Sequence, residues 1–164
     1  MIRQIIHLLG TQHQWLISLV LGALPISELR GAIPVGVMLG MPLWQAFLWS
    51  VLGNLLPVPF LLLFFKRVSA LGRRFAPTRR FFDWVMERTR KNTAAIQRYE
   101  AVGLALFVAI PIPMTGAWSG AVAASVLEMP FGLAVSSIVV GVLTAGVAVS
   151  LAVHFGIRFF YAVF

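Results

Sequence analysis

LPISELRGAIP, residues 24–34, interrupts an otherwise apolar stretch running from residue 13 to residue 41 with one glutamate, one arginine and two prolines. A straight helix through it would carry Glu28 and Arg30 at membrane depth, where ionised side chains are costly. It would also place Pro25 and Pro34 in the helical ladder, where each removes an amide hydrogen and crowds the preceding turn. The apolar run before it, Trp15 to Leu24, falls short of the roughly 20 residues that a helix needs to cross about 30 Å of hydrocarbon. The segment therefore reads as the bend of a re-entrant hairpin, two short helices that enter and leave on the same side. Such backbone persists in a bilayer only where protein or a water-filled cavity satisfies its polar groups.

The same reading applies again downstream. IPIPMTGAWSG, residues 110–120, breaks a second uncharged run with Pro111, Pro113, Thr115, Gly116 and Gly120. Shifting the chain against itself by 88 residues brings the two bends together, with Pro25 on Pro113, Ser27 on Thr115 and Met41-Pro42 on Met129-Pro130. It also pairs Leu39 with Leu127, Ala46 with Ala134, Val51 with Val139, Gly53 with Gly141 and Leu55 with Leu143. Apolar composition alone would supply several of these pairs, but the repeated Met-Pro step and the repeated bend point to a duplication.

After each bend comes a run long enough to cross. LWQAFLWSVLGNLLPVPFLLLFF spans residues 43–65, and the second such run occupies residues 130–153. Pro42 and Pro130 suit a first helical turn, whereas Pro57 and Pro59 fall inside the first run and predict a kink or unwound turn. A hairpin plus one crossing gives each half an odd number of crossings, so the second half is expected upside down relative to the first. The expected fold is all-α and integral to the membrane: a single domain over 1–164, with repeat 1 at about 5–65, a linker at 66–100 and repeat 2 at about 101–164. The alternative opens each hairpin into ordinary crossings, roughly six in all.

Composition agrees with this class. Of 164 residues, 60% are hydrophobic, and residues 31–65, 101–127 and 129–157 contain no Asp, Glu, Lys or Arg. A soluble domain of this length has no core able to hide so much apolar side chain. The chain carries 13 basic and 5 acidic residues, and Lys66, Arg67, Arg73, Arg74, Arg79, Arg80, Arg88, Arg90, Lys91 and Arg98 all lie in the linker. That excess places the linker on the cytoplasmic side, with both termini outside, and draws it toward anionic headgroups. The pattern gives the charge a topological use and leaves no nucleic-acid motif to explain. Within the linker, Phe81 to Tyr99 reads either as a helix lying in the interface or as a solvated tether. The absence of cysteine excludes disulfide and thiolate chemistry.

Few residues are equipped for chemistry. Glu28 and Arg30 are spaced i to i+2, off one helical face, so their direct pairing requires the bend. Facing a cavity, Arg30 suits an anionic group and Glu28 a proton or cation; at a hairpin mouth the two merely neutralise one another. Asn54 lies deep in an uncharged run and needs a partner or a cavity. Thr115 offers a donor and an acceptor, and Trp118 a flat face with an indole donor, although Trp118 also suits an interfacial anchor. Gly36 with Gly40, and Gly116 with Gly120, permit tight hairpins. His7, His13 and His154 form no ligand cluster, and no hydrolase, phosphate-loop or dinucleotide signature is present, so neither metal, cofactor nor enzymatic activity is expected.

Taken in order, the ELRGAIP segment, Gly53-Asn54 with Pro57, and the IPIPMTGAWSG segment make the chain resemble the putative small multidrug export protein family over nearly its whole length. It is similar, more remotely, to the DedA-like or VTT superfamily. The first motif falls on Pro25, Glu28, Leu29, Arg30, Gly31, Ala32, Ile33 and Pro34, the middle one on Gly53, Asn54 and Pro57, and the last on Pro111, Pro113, Thr115, Gly116 and Gly120. The resemblance implies a prokaryotic inner-membrane protein with paired re-entrant hairpins. It makes an anionic lipid headgroup a ligand to consider for Arg30.

The expected function is a secondary transporter or lipid flippase for a small or amphipathic substrate, coupled to a proton or another ion. Glu28, Arg30, Asn54, Thr115 and Trp118 would form its binding site. Pro25, Gly31, Pro34, Gly53, Pro57, Pro111, Pro113, Gly116 and Gly120 would shape the hairpins and the kink. So small a unit encloses little volume, so a homo-oligomer, in the simplest case a dimer, is expected among membrane lipids. A scaffold without transport and a passive channel are the alternatives.

Overall fold

A computed structural model describes residues 13–72, 95–110 and 116–163. Among them the regular elements are all helices: α1 Gln14–Ala23, α2 Glu28–Met38, α3 Leu43–Leu55, α4 Val58–Gly72, α5 Ala95–Ala109, α6 Ala117–Val126 and α7 Phe131–Val163. With 10 and 11 residues, α1 and α2 are each about 15 Å long, half the thickness of the hydrocarbon layer. They fold back on one another around residues 24–27, and Gln14 Nε2 at the start of α1 donates to the Leu39 carbonyl beyond the end of α2 at 2.7 Å. The bend anticipated from Pro25 is therefore present as a helical hairpin.

The interruption expected within residues 43–65 is also present. Pro57 and Pro59 have no amide hydrogen to offer the carbonyls of Gly53 and Leu55. Accordingly α3 closes with Leu56 N–H donating to Leu52 at 3.0 Å, and α4 restarts with Leu61 N–H donating to Pro57 at 2.9 Å. Taken through this kink, Leu43–Phe65 is long and apolar enough to cross a membrane, as is Phe131–Ile157 in α7. Helical geometry reaches Gly72 on one side of the basic linker and resumes at Ala95 on the other. Most of the expected interfacial helix beginning at Phe81 lies outside the described residues.

The shift of 88 residues reappears as local structure. Gly40 and its mate Glu128 both adopt left-handed backbone, with φ of 92° and 55°. Met41 N–H donates to Gly36 at 3.1 Å and Met129 N–H to Ala124 at 3.0 Å, while Gly40 donates to Val37 and Glu128 to Ser125 at 2.9 and 3.2 Å. These pairs are the two hydrogen bonds of a Schellman cap, closing α2 and α6 at equivalent positions. Pro42 and Pro130 then open the next helices, accepting from Ala46 at 3.0 Å and Ala134 at 2.9 Å.

Packing follows the same scheme. α1 lies along α3 and α5 along α7, whereas the second arms cross over, α2 onto α7 and α6 onto α4. Each first-arm contact is close enough to exclude a side chain: a Cβ at Gly53 would run into the Leu19 carbonyl, and one at its mate Gly141 would lie 2.7 Å from the Ala105 carbonyl and 2.6 Å from Val108. Small residues that let helix backbones approach are the usual device for association in lipid, where burying leucine brings no hydrophobic gain. Ile33, Val58, Val108, Ile138 and Val142 are fully buried at the centre. Leu52, Phe60 and Phe64 on α3 and α4, and Val140, Val147 and Leu151 on α7, point outward, as an apolar protein surrounded by acyl chains requires. Gly36 packs against Ser18 and Ala46, and Gly120 against Val108, so Gly36 and Gly120 tighten the hairpins.

Candidate functional site

The last carbonyls of a helix lack intrahelical donors and must find them elsewhere. At the end of α1 the Val20 carbonyl accepts from Leu24 N–H at 3.1 Å, and the Leu21 carbonyl from the Ser27 hydroxyl. The Ala23 carbonyl accepts from the indole Nε1 of Trp118 at 3.1 Å, a donor 95 residues away on α6. The bend of the first hairpin is thus completed by the second half of the chain.

Reciprocally, the first half completes the start of α6. Glu28 opens α2 with φ of 44°, a left-handed conformation that costs a non-glycine residue roughly 1–2 kcal/mol and tends to mark functional constraint. Its carboxylate accepts from the backbone N–H of Trp118 and lies directly against Gly116, where a Cβ would overlap the carboxyl group. Arg30 Nη2 lies 3.9 Å from Glu28 Oε2. The i to i+2 pair therefore forms, because the left-handed turn swings the Glu28 side chain out of helical register. Glu28 sits between a guanidinium and the N-terminus of a helix, both of which favour negative charge. The N-terminus is itself finished locally, with Ser119 Oγ accepting from Gly116 N–H at 2.9 Å.

Beside this pair is a cavity of about 10 Å³ bordered by Glu28, Arg30, Asn54, Val108, Gly116 and Val142, barely the space of one water. Asn54 is 1% exposed, and its Oδ1 has no hydrogen-bond partner among the described residues. A buried amide oxygen left without a donor costs on the order of 1–3 kcal/mol. On the outer side, Arg30 also borders an open groove of about 440 Å³ between α2 and α7, with Pro34, Ala148, Val149, Ala152 and Val153. Arg30 and Val149 belong to both spaces and form the wall between them. A larger apolar groove of about 510 Å³ lies between α3 and α7, bordered by Trp44, Phe47 and Leu151 among others.

Of the expected binding residues, Glu28, Arg30 and Asn54 thus border one space, and Trp118 reaches it through its backbone. Its indole is engaged with Ala23 and serves to join the halves. Thr115, Pro111 and Pro113 lie outside the described residues. Pro25 is an exposed residue of the turn between α1 and α2, and a Cβ at Gly31 would lie 2.9 Å from that of Ser27; Pro34, inside α2, has no amide hydrogen to offer the Arg30 carbonyl. The part missed in the sequence is the role of Gly116 as the seat of a carboxylate. The shift of 88 residues places Gly116 opposite Glu28, but that alignment relates two positions in sequence and does not announce a contact between them.

The family model described as "Putative small multi-drug export protein" matches residues 28–148, beginning at Glu28 itself, and the chain belongs to that family. No curated protein and no solved structure matches the chain significantly.

Proposed function

We propose that this member of the putative small multi-drug export family is a secondary transporter built as an inverted repeat. Its two helical hairpins are re-entrant and meet at the Glu28–Arg30–Asn54 site, and Glu28 is its proton-binding group. The observation that carries this reading is the reciprocal junction, Glu28 on the start of α6 and Trp118 on the end of α1. Helix ends meeting at depth across an internal repeat are the recurrent device by which secondary transporters build a midplane site. An intramembrane acid paired with a base there is a pathway residue by default. The cavity of about 10 Å³ belongs to an occluded state, and rocking of one hairpin against the other half opens it.

The chain resides in the prokaryotic inner membrane with the basic linker in the cytoplasm, and a second copy completes the wall of so small a transporter. The substrate is small or amphipathic. The test is flux in proteoliposomes under an imposed pH gradient, comparing wild type with folded Glu28→Gln for an anionic polyprenyl lipid and a cationic drug. Saturable movement of one of them, lost in the variant, is the expected result; equal leakage from both proteins refutes transport of either.

One observation favours a scaffold instead: the polar ends of the first bend are satisfied within the protein. On that reading Arg30→Ala lowers folded yield and wild type moves no substrate.

A further inference from the structure

We propose that α4 and α6 form a lid that swings as one body about the Leu56–Pro57 step, and that the two hydrogen bonds of Trp118 hold it shut. This rests on the transport reading only in what the lid uncovers, and it names the part that moves: half of a crossing helix together with one arm of a hairpin. The joint is built into the backbone. Pro57 and Pro59 leave the carbonyls of Gly53 and Leu55 without their usual helical donors, so α4 turns on α3 with no bond between those groups to break. The positions 88 residues further on, Ala145 and Val147, lie inside α7, which runs unbroken over Phe131–Val163. Of the two crossings, the first therefore has a joint and the second has none.

Packing divides the helices at the same step. α3 lies on α1, α2 and α7, whereas α4 lies chiefly on α6 and only sparsely on α3 and α7. Val58 and Leu62 of α4 are buried in one cluster with Ala117, Ala121 and Ala124 of α6. α5 stays with α7, where Gly141 brings the two backbones together. Toward α5, α6 presents Gly120, at which a Cβ would lie 2.6 Å from Val108. That contact is close but has no side chain of α6 to interlock, so it suits the small sliding by which packed helices shear. In lipid, moreover, apolar contact brings no hydrophobic gain to hold the lid in place.

Polar bonds supply that hold. The Trp118 backbone N–H donates to the Glu28 carboxylate, and its indole Nε1 donates to the Ala23 carbonyl at 3.1 Å. Both fasten α6 to the first half of the chain. Away from water such bonds are stronger than in it, and both must part before the lid moves. Because the joint lies at the start of α4, the other end of that helix, at Gly72 beside the basic linker, travels furthest. The cavity bordered by Asn54, Val108 and Gly116 is then uncovered on the linker side.

The test is distance measurement by double electron–electron resonance on the full chain in lipid nanodiscs, with spin labels on introduced cysteines, since the chain has none of its own. Leu48→Cys on α3, Phe64→Cys on α4, Val126→Cys on α6 and Val140→Cys on α7 all replace exposed side chains and are labelled in pairs. Wild type is expected to show a minor second distance for Leu48 with Phe64 and for Leu48 with Val126. Phe64 with Val126, and Leu48 with Val140, should each keep a single distance. Trp118→Phe retains the backbone N–H and removes the indole donor, and it should raise the minor population about fivefold, the effect of losing one such hydrogen bond. Pro57→Ala combined with Pro59→Ala restores both amide hydrogens and should abolish the minor population. A second distance for Phe64 with Val126 would mean that α4 and α6 part company; a single distance for every pair in Trp118→Phe would mean that no lid opens. Either overturns the proposal, as does a minor population that neither set of substitutions changes. Flux through a protein whose lid stays still leaves the transport reading standing and removes this one, whereas a moving lid without flux does the reverse.

Discussion

The two bends of this protein share a frame and differ in what fills it. Both second arms close with the same pair of hydrogen bonds 88 residues apart, and both are followed by a proline that opens the next helix. At the start of those arms the likeness ends: α2 begins with Glu28 and α6 is preceded by Gly116. The side chain present in one half occupies the space left by its absence in the other. Two bends with like caps thereby produce a site with a single carboxylate at its centre. Two glutamates meeting there would repel each other, and two glycines would leave both helix starts without an anion.

Gly116→Ala tests this complementarity most severely. A methyl group there overlaps the Glu28 carboxyl, and overpacking of this kind is expected to cost about 2–3 kcal/mol, measured by denaturant unfolding in detergent. Combining it with Glu28→Ala should return much of the loss, since the colliding partner is gone. A Gly116→Ala protein as stable as wild type would mean that Glu28 lies elsewhere, and the account of the centre would fail.

The first-arm crossings allow a finer comparison. Gly53 and Gly141 are mates, but the atoms nearest an added methyl differ: at Gly53 they are the backbone of Leu19, and at Gly141 they include the Val108 side chain as well as a carbonyl. A side chain changes rotamer more readily than a packed helix shifts. Gly53→Ala is therefore expected to destabilise by about 2–3 kcal/mol and Gly141→Ala by about 1–2 kcal/mol, ordered by the same unfolding measurement. Equal losses would mean that both crossings are limited by backbone.

Much of this frame is legible in the sequence. Charge and proline in LPISELRGAIP mark the bend, Met-Pro marks the step from each capped short helix into the next, and Pro57 marks the kink, because each of these residues conflicts with an uninterrupted apolar helix. Asn54 is legible for the same reason, as an amide in a run with nothing to pair with it. The meeting of Glu28 with Gly116 is not, because glycine announces no partner and the contact joins segments 88 residues apart. Nor is the engagement of Trp118 with Ala23, since a backbone carbonyl leaves no trace in residue type. Glu128 is illegible in another way: glutamate is an uncommon choice for left-handed backbone, and only the mate Gly40 hints at that conformation.

The two caps give the smallest effect and separate backbone from packing. A Cβ added at Gly40 meets nothing within 4 Å, so Gly40→Ala changes only the cost of holding φ at 92°, about 1 kcal/mol. Glu128 already bears that cost, and Glu128→Ala leaves the cap's backbone as strained as before, with a change expected within about 0.5 kcal/mol at this exposed position. The unfolding midpoint should accordingly fall for Gly40→Ala and barely move for Glu128→Ala. If both variants lose equally, Glu128 contributes through its side chain, and the second cap is held by a contact that the first does without.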